Sequence, residues 1–129
     1  MTATTASDFL VVDSSGWIEY FGDGAKAGDF EPYLHRQDFL LVPTIVLYEV
    51  CKKLSRERGK TIADRFVSQA FRCVVVALDE EIALVAASLS LEHRLSMADA
   101  IIYATAQTHA AQLVTGDSAF QGLPGVTIL

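Results

Sequence analysis

Short apolar runs rich in Val, Leu and Phe alternate along this chain with longer stretches whose apolar residues recur every three or four positions, and turn-forming residues separate the two kinds of segment. The run FLVV at 9–12 reads as a buried strand ending on Asp13. Ser14 and Ser15 read as caps of a helix carrying Trp17, Ile18 and Phe21, closed by Gly22. An irregular or helical section spans 23–37, and FLLV at 39–42 forms a second strand ended by Pro43. Thr44 then caps a helix to about Arg58, with Gly59 as its stop. A helix at 61–71 leads to the strand CVVVAL at 73–78. Asp79 caps the next helix, with Glu80 and Glu81 at its positive end and His93 and Arg94 at its negative end. Ser96 opens a helix to about Ala110, QLVT at 112–115 is a fourth strand, and VTIL at 126–129 is a short edge strand.

This alternation predicts an α/β fold with a mainly parallel central sheet covered on both faces by helices. With 129 residues, about half of them apolar, the chain is expected to form one domain over 1–129 with one core. Its net charge of -6 argues against gripping nucleic acid with the whole surface, though a local basic strip remains compatible with it. Cys51 and Cys73 have neither the number nor the spacing of a disulfide framework or zinc site, which fits a reducing cytoplasm. The N-terminus MTATTASDF lacks the charged and apolar regions of a leader, and no run of about 18 apolar residues suggests a membrane span.

Candidate chemistry comes from four acids. No Lys or Arg occurs from Met1 to Ala25 or from Leu95 to Leu129, and Asp13, Asp99 and Asp117 fall within these stretches. A carboxylate turned inward without a cation must be hydrogen-bonded, protonated or holding a metal. In a parallel sheet the ligand crevice lies at the carboxyl ends of the strands. Asp13 follows the first strand and Asp117 the fourth, Glu49 lies in the helix after the second, and Asp99 in the first turn of the helix leading to the fourth.

Each acid also has an ordinary structural reading. Asp13 could cap the helix that follows it, Asp117 could cap the turn in TGDSAF, and Asp99 completes a capping box with Ser96. Glu49 could be a solvated helix residue. As a set, however, four carboxylates suit one or two Mg²⁺ or Mn²⁺ ions, which prefer carboxylate oxygen and water. His35, His93 and His109 lie in polar helical or loop contexts outside any nucleophile motif, and a surface or cap role suits them.

With these residues in place the chain resembles the PIN-domain ribonucleases, and among them the VapC toxins of bacterial toxin–antitoxin modules. The resemblance spans essentially the whole chain and rests on Asp13 with Ser14 and Ser15 in VVDSSGWIEYF, Glu49 in PTIVLYEV, Asp99 in SMADAIIYATA and Asp117 in LVTGDSAF. It implies a three-layer α/β/α fold with strand order 3-2-1-4-5, an acidic pocket binding Mg²⁺ or Mn²⁺, and endonucleolytic cleavage of RNA. By motif match Asp13, Glu49, Asp99 and Asp117 would be the metal-binding and catalytic acids, and Ser14 and Thr115 the small hydroxyl residues beside the pocket, with Ser15 competing for the first place. It also implies a homodimer, or a hetero-oligomer with a VapB antitoxin that blocks the pocket in a prokaryotic cytoplasm. Helix 1 and the section 23–34 are the expected antitoxin groove. Two other readings stay open: a PIN nuclease of RNA processing without an antitoxin, and a noncatalytic binding module whose acids are caps.

The bases add an expectation of their own. Lys52, Lys53, Arg56, Arg58 and Lys60 crowd the segment after Glu49. Glu49, Lys52, Lys53 and Arg56 recur at i, i+3, i+4 and i+7, opposite a stripe of Leu47, Val50, Cys51 and Leu54. That face is either a ridge for RNA phosphates or a solvated face with internal Glu–Lys pairs. Trp17, Tyr20 and Phe21 have the helical spacing of core or oligomer contacts rather than of a base-stacking platform.

Overall fold

A computed structural model describes residues 8–129; residues 1–7, most of the stretch read above for leader features, lie outside it. Five parallel strands form one sheet in the order β3-β2-β1-β4-β5: β1 (Leu10–Val12), β2 (Leu40–Pro43), β3 (Val74–Val76), β4 (Gln112–Thr115) and β5 (Val126–Ile128). The helices are α1 (Ser14–Phe21), α2 (Ala27–Leu34), α3 (Thr44–Glu57), α4 (Lys60–Ala70), α5 (Glu80–His93) and α6 (Met97–Thr108). The expected α/β class and strand order are both found.

The sheet is anchored by β1, whose three residues are all buried between β2 and β4 and contacted by α1, α2 and α6. Strands buried on both faces need continuous apolar runs, which is why LVV and LLV carry no alternation. The chain leaves β1 toward β2 and β3, then returns through α5 and α6 to β4 on the other side of β1. This reversal makes the carboxyl ends of β1 and β4 the switch point where open α/β sheets form a crevice.

Trp17 carries α1 onto the core: its buried ring lies edge-on to Phe66 of α4 at 5.3 Å and stacks on Phe21 at 6.3 Å. The core reading of this aromatic group is therefore met at Trp17. Gly16 permits the close approach of α1, since a Cβ there would stand 2.6 Å from Val12 Cγ1 and 2.7 Å from the Phe30 ring. Between α3 and α4, Gly59 turns the chain at φ 91°, a conformation costly for residues with a side chain.

The element ends depart from the sequence expectation in three places. Pro43 is the last paired residue of β2 and the N-cap of α3; Thr44 lies inside the helix, and its hydroxyl accepts the Leu78 N–H at 3.4 Å. Ser14 and Ser15 are not the caps of α1; the N-cap position falls to Asp13, the other residue read as its cap. β3 is shorter than 73–78 because its ladder against β2 ends where Val76 meets Pro43. Cys51 and Cys73 are free thiols. Among the described residues no helix is long and apolar enough to cross a membrane.

Candidate active site

β1 delivers Asp13 to the crevice, and the ladder with β4 extends one residue beyond the strand through Asp13 N–H donating to the Val114 carbonyl at 2.9 Å. Asp13 is 3% exposed, and although it occupies the N-cap position its carboxylate makes no capping bond. Two hydroxyls converge on it instead. Ser15 Oγ and Thr115 Oγ1 each donate to Asp13 Oδ2 at 2.8 Å. Each hydroxyl has one proton and both are directed at Asp13, so the 3.4 Å separation of the two hydroxyl oxygens is a contact, not a third bond. Their lone pairs serve the β4 rim: Ser15 Oγ accepts the Gly116 N–H at 3.1 Å and Thr115 Oγ1 the Asp117 N–H at 2.9 Å. One cluster of hydroxyls thus fixes the first acid and the backbone that carries the fourth.

Glu49 is half-buried on α3 and accepts from Ser14 Oγ at 2.7 Å, a contact that ties α3 to the first turn of α1. Asp117 accepts the Ala119 N–H at 2.9 Å and caps a short 3₁₀ turn, so its ordinary reading holds as a local fact. Asp99 lies in the first turn of α6, where its N–H donates to the Ser96 hydroxyl at 3.3 Å. The capping reading therefore describes the carboxylate of Asp117; at Asp99 it is the Ser96 hydroxyl that caps, through the backbone N–H, and Asp13 and Glu49 are not explained as caps. All three candidate hydroxyls are engaged: Ser14 serves Glu49, while Ser15 and Thr115 serve Asp13.

The charges of the other three acids all act on Asp99. Burial, then the charges of Asp13 and Asp117, and to a smaller degree Glu49, push the Asp99 carboxyl up to about 6. Burial raises that of Asp13 too, opposed by the Thr115 and Ser15 hydroxyls, with Asp117 adding to the rise. Among the described residues no Lys, Arg or His forms an ion pair with any of the four. As placed, no three His, Cys, Asp or Glu side chains among the described residues form a closed metal-holding group. An ion would draw the carboxylates inward or reach them through water. The donor chemistry itself fits, because an all-carboxylate set suits a hard ion that retains several waters.

Some features of the site carry no sequence signal. The Ser14–Glu49 and Thr115–Asp13 pairs span 35 and 102 residues, so they follow from the strand order and rotamers alone. His35 stands 4.0 Å from Glu31 on the surface, and His109 Nδ1 lies 2.9 Å from the Thr105 carbonyl near the end of α6; neither contacts the acids.

A family model described as PIN domain matches residues 10–126. No curated protein sequence matches significantly. Among solved structures the chain is similar to a toxin–antitoxin complex from Klebsiella pneumoniae, with a TM-score of 0.78 at 24% identity, covering 92% of this chain and 95% of that one. A sarcin-ricin loop cleaving toxin from Mycobacterium tuberculosis matches with a TM-score of 0.76 at 18% identity, covering 91% and 96%. A DNA-bound VapBC from Salmonella typhimurium matches at 0.73 and 16%, covering 94% and 96%. At these identities the likeness is one of fold.

Proposed function

The chain belongs to the PIN domain family, and from that premise we propose that it is a divalent-metal-dependent endoribonuclease acting as the toxin of a toxin–antitoxin pair. The observation that carries the reading is the electrostatic convergence of Asp13, Glu49, Asp99 and Asp117, from four separate elements, without a pairing cation among the described residues. A purely structural set of caps has no reason to hold like charges together.

Asp13, Asp99 and Asp117, with Glu49, would hold one or two Mg²⁺ or Mn²⁺ ions. When bound, such an ion neutralises charge on a phosphodiester and lowers the pKa of an attached water. The protein's own part is positioning. Ser15 and Thr115 tie down Asp13 Oδ2, Ser14 ties down Glu49 Oε1, and the Ala119 N–H ties down Asp117 Oδ1. Each of these acids thereby keeps one oxygen fixed by the fold and can turn the other to the crevice, which limits the reorganisation needed when substrate arrives.

Two surfaces support the partner assignments. A groove of 440 Å³ runs between α1, α2 and α4, lined by Tyr20, Phe21, Glu31, Arg58, Ile62 and Arg65. It overlaps the expected antitoxin groove along helix 1 and the section 23–34, and joins apolar to charged side chains. The second surface is α5. Ile82, Ala86 and Leu89 are buried beneath it, yet Leu84, Leu91 and, just beyond, Met97 are 72%, 86% and 72% exposed. A helix apolar on both sides is one that a second surface covers, here a second copy of the chain. Leu84→Lys combined with Leu91→Lys should shift a dimer to monomer in light scattering, with the fold retained; a native chain that is already monomeric would remove the dimer.

The deciding experiment incubates purified, partner-free protein with end-labelled structured RNAs in Mg²⁺ or Mn²⁺. Discrete cleavage that EDTA abolishes is the expected result, and a small co-encoded DNA-binding protein should suppress it. Intact RNA of every class, together with absence of metal binding by calorimetry, would sink the nuclease reading.

A further inference from the structure

The five bases after Glu49 do not act alike once folded. Arg58 turns back to donate to the Gly22 carbonyl at the end of α1, and Lys60 pairs with Asp64 at 2.8 Å on α4. The other three line one cleft of 270 Å³ between α1 and α3, in which Ser14 and Glu49 form one end and Lys52, Lys53 and Arg56 continue along α3. The alternative for this face, internal Glu–Lys pairing, is not what forms. Glu49 accepts from Ser14, Lys52 lies over the Tyr48 ring at 5.4 Å with its ammonium 3.3 Å from the hydroxyl, and Arg56 meets Glu57 at 3.3 Å in solvent. The Lys53 side chain makes no hydrogen bond or ion pair among the described residues. Three cations with only exposed or neutral partners therefore flank an acid of the candidate active site, on a chain of net charge -6.

We propose that the α1/α3 cleft is a subsite for the phosphate backbone of the RNA strand beside the bond that is cut, held by Lys52, Lys53 and Arg56. The proposal rests on the ribonuclease reading above and deepens it by giving the strand a direction, from the carboxylates along α3. Residues 49 to 56 of a helix cover about 10 Å, so the cations accompany a short length of backbone rather than a single phosphate. Their field is local: the rest of the acidic surface repels RNA, and the cleft concentrates the attraction next to the acids. Phosphate contacts of this kind position the strand and carry no base specificity.

The test is equilibrium binding of a fluorescent single-stranded RNA to the Asp99→Asn protein across a potassium chloride series in EDTA, with and without Lys53→Gln plus Arg56→Gln. Each cation removed from a phosphate should flatten the slope of log affinity against log salt by about 0.7. The double change should therefore reduce it by about 1.4 while leaving the melting temperature in place, since both side chains are on the outer face of α3. Lys60→Gln, outside the cleft, should leave the slope as it was. In the cleaving protein the same pair should raise KM with kcat kept. An unchanged slope, or an equal change from Lys60→Gln, would overturn the subsite and leave the cations to an acidic protein partner or to diffuse attraction. Binding is read on a protein that does not cleave, so the subsite can fail while metal-dependent cleavage stands, and the reverse.

Discussion

Asp99→Asn is expected to abolish metal-dependent cleavage and, at neutral pH without divalent ions, to make the protein more stable than the native chain. The two effects have one cause. Burial together with Asp13, Asp117 and Glu49 holds the Asp99 carboxyl at about 6, above its ordinary 3.8. A carboxyl whose folded pKa is raised contributes stability below its unfolded value, and that contribution is lost as pH rises through about 6. The ion-free native protein should therefore lose melting temperature between about pH 4 and 7, with Asp13 acting in the same direction. A neutral side chain at 99 removes part of that decline. Because Asp99 is only half-buried, solvent screening brings the gain at pH 7 to about 1 kcal/mol, or roughly 3–5 °C in melting temperature. Mg²⁺ or Mn²⁺ should raise the melting temperature of the native chain, and Asp99→Asn should weaken that response. Cleavage should fall about 10³-fold or more, the rate equivalent of about 4 kcal/mol of charge stabilisation. A substitution that destabilises the ion-free protein at pH 7 would show that Asp99 serves its cap and little else.

Thr115→Val should damage stability and activity together, although the two side chains have nearly the same shape. Thr115 is fully buried, donates to Asp13 and accepts from the Asp117 N–H. The valine would leave Asp13 Oδ2 with Ser15 alone and the Asp117 N–H without its acceptor. Losing buried hydrogen-bond partners costs about 1–3 kcal/mol. The freed carboxylate should also bind the ion about 10- to 100-fold more weakly, as happens when the groups that orient a ligand are removed. Mn²⁺ titration by calorimetry alongside thermal melting separates the two losses, and Thr115→Ser should restore most of both. Native metal affinity in the valine protein would reduce the hydroxyl to a packing role.

Much of the fold was readable because its signals are local. Continuous apolar runs marked the interior strands, and Asp79, Ser96 and Gly59 punctuated the helices where the folded chain uses them. The ends were less readable where a partner decides them. The run at 73–78 is apolar throughout, but pairing stops at Val76 because β2 has no more residues to offer, and Val74 remains 46% exposed at the sheet edge. Asp13 illustrates the same limit at the site. Its place after a strand suits a cap as well as a ligand, and it is Thr115 across the sheet, together with Ser15, that holds its carboxylate. The work of Ser15 and Thr115 likewise depends on β4 lying beside β1, and that of Ser14 on α3 lying against α1, placements that no local signal sets.

The reach of the Asp13 clamp has a consequence for biosynthesis. A chain grows from its N-terminus, and Asp13 emerges 102 residues before the Thr115 hydroxyl that holds it. A chain that stops at the end of α6 contains three of the four acids, yet β1 has no β4 beside it and Asp13 has only Ser15. The clamp on Asp13 is therefore completed only after β4 has been made, and a chain cut short before Gln112 has no route to it.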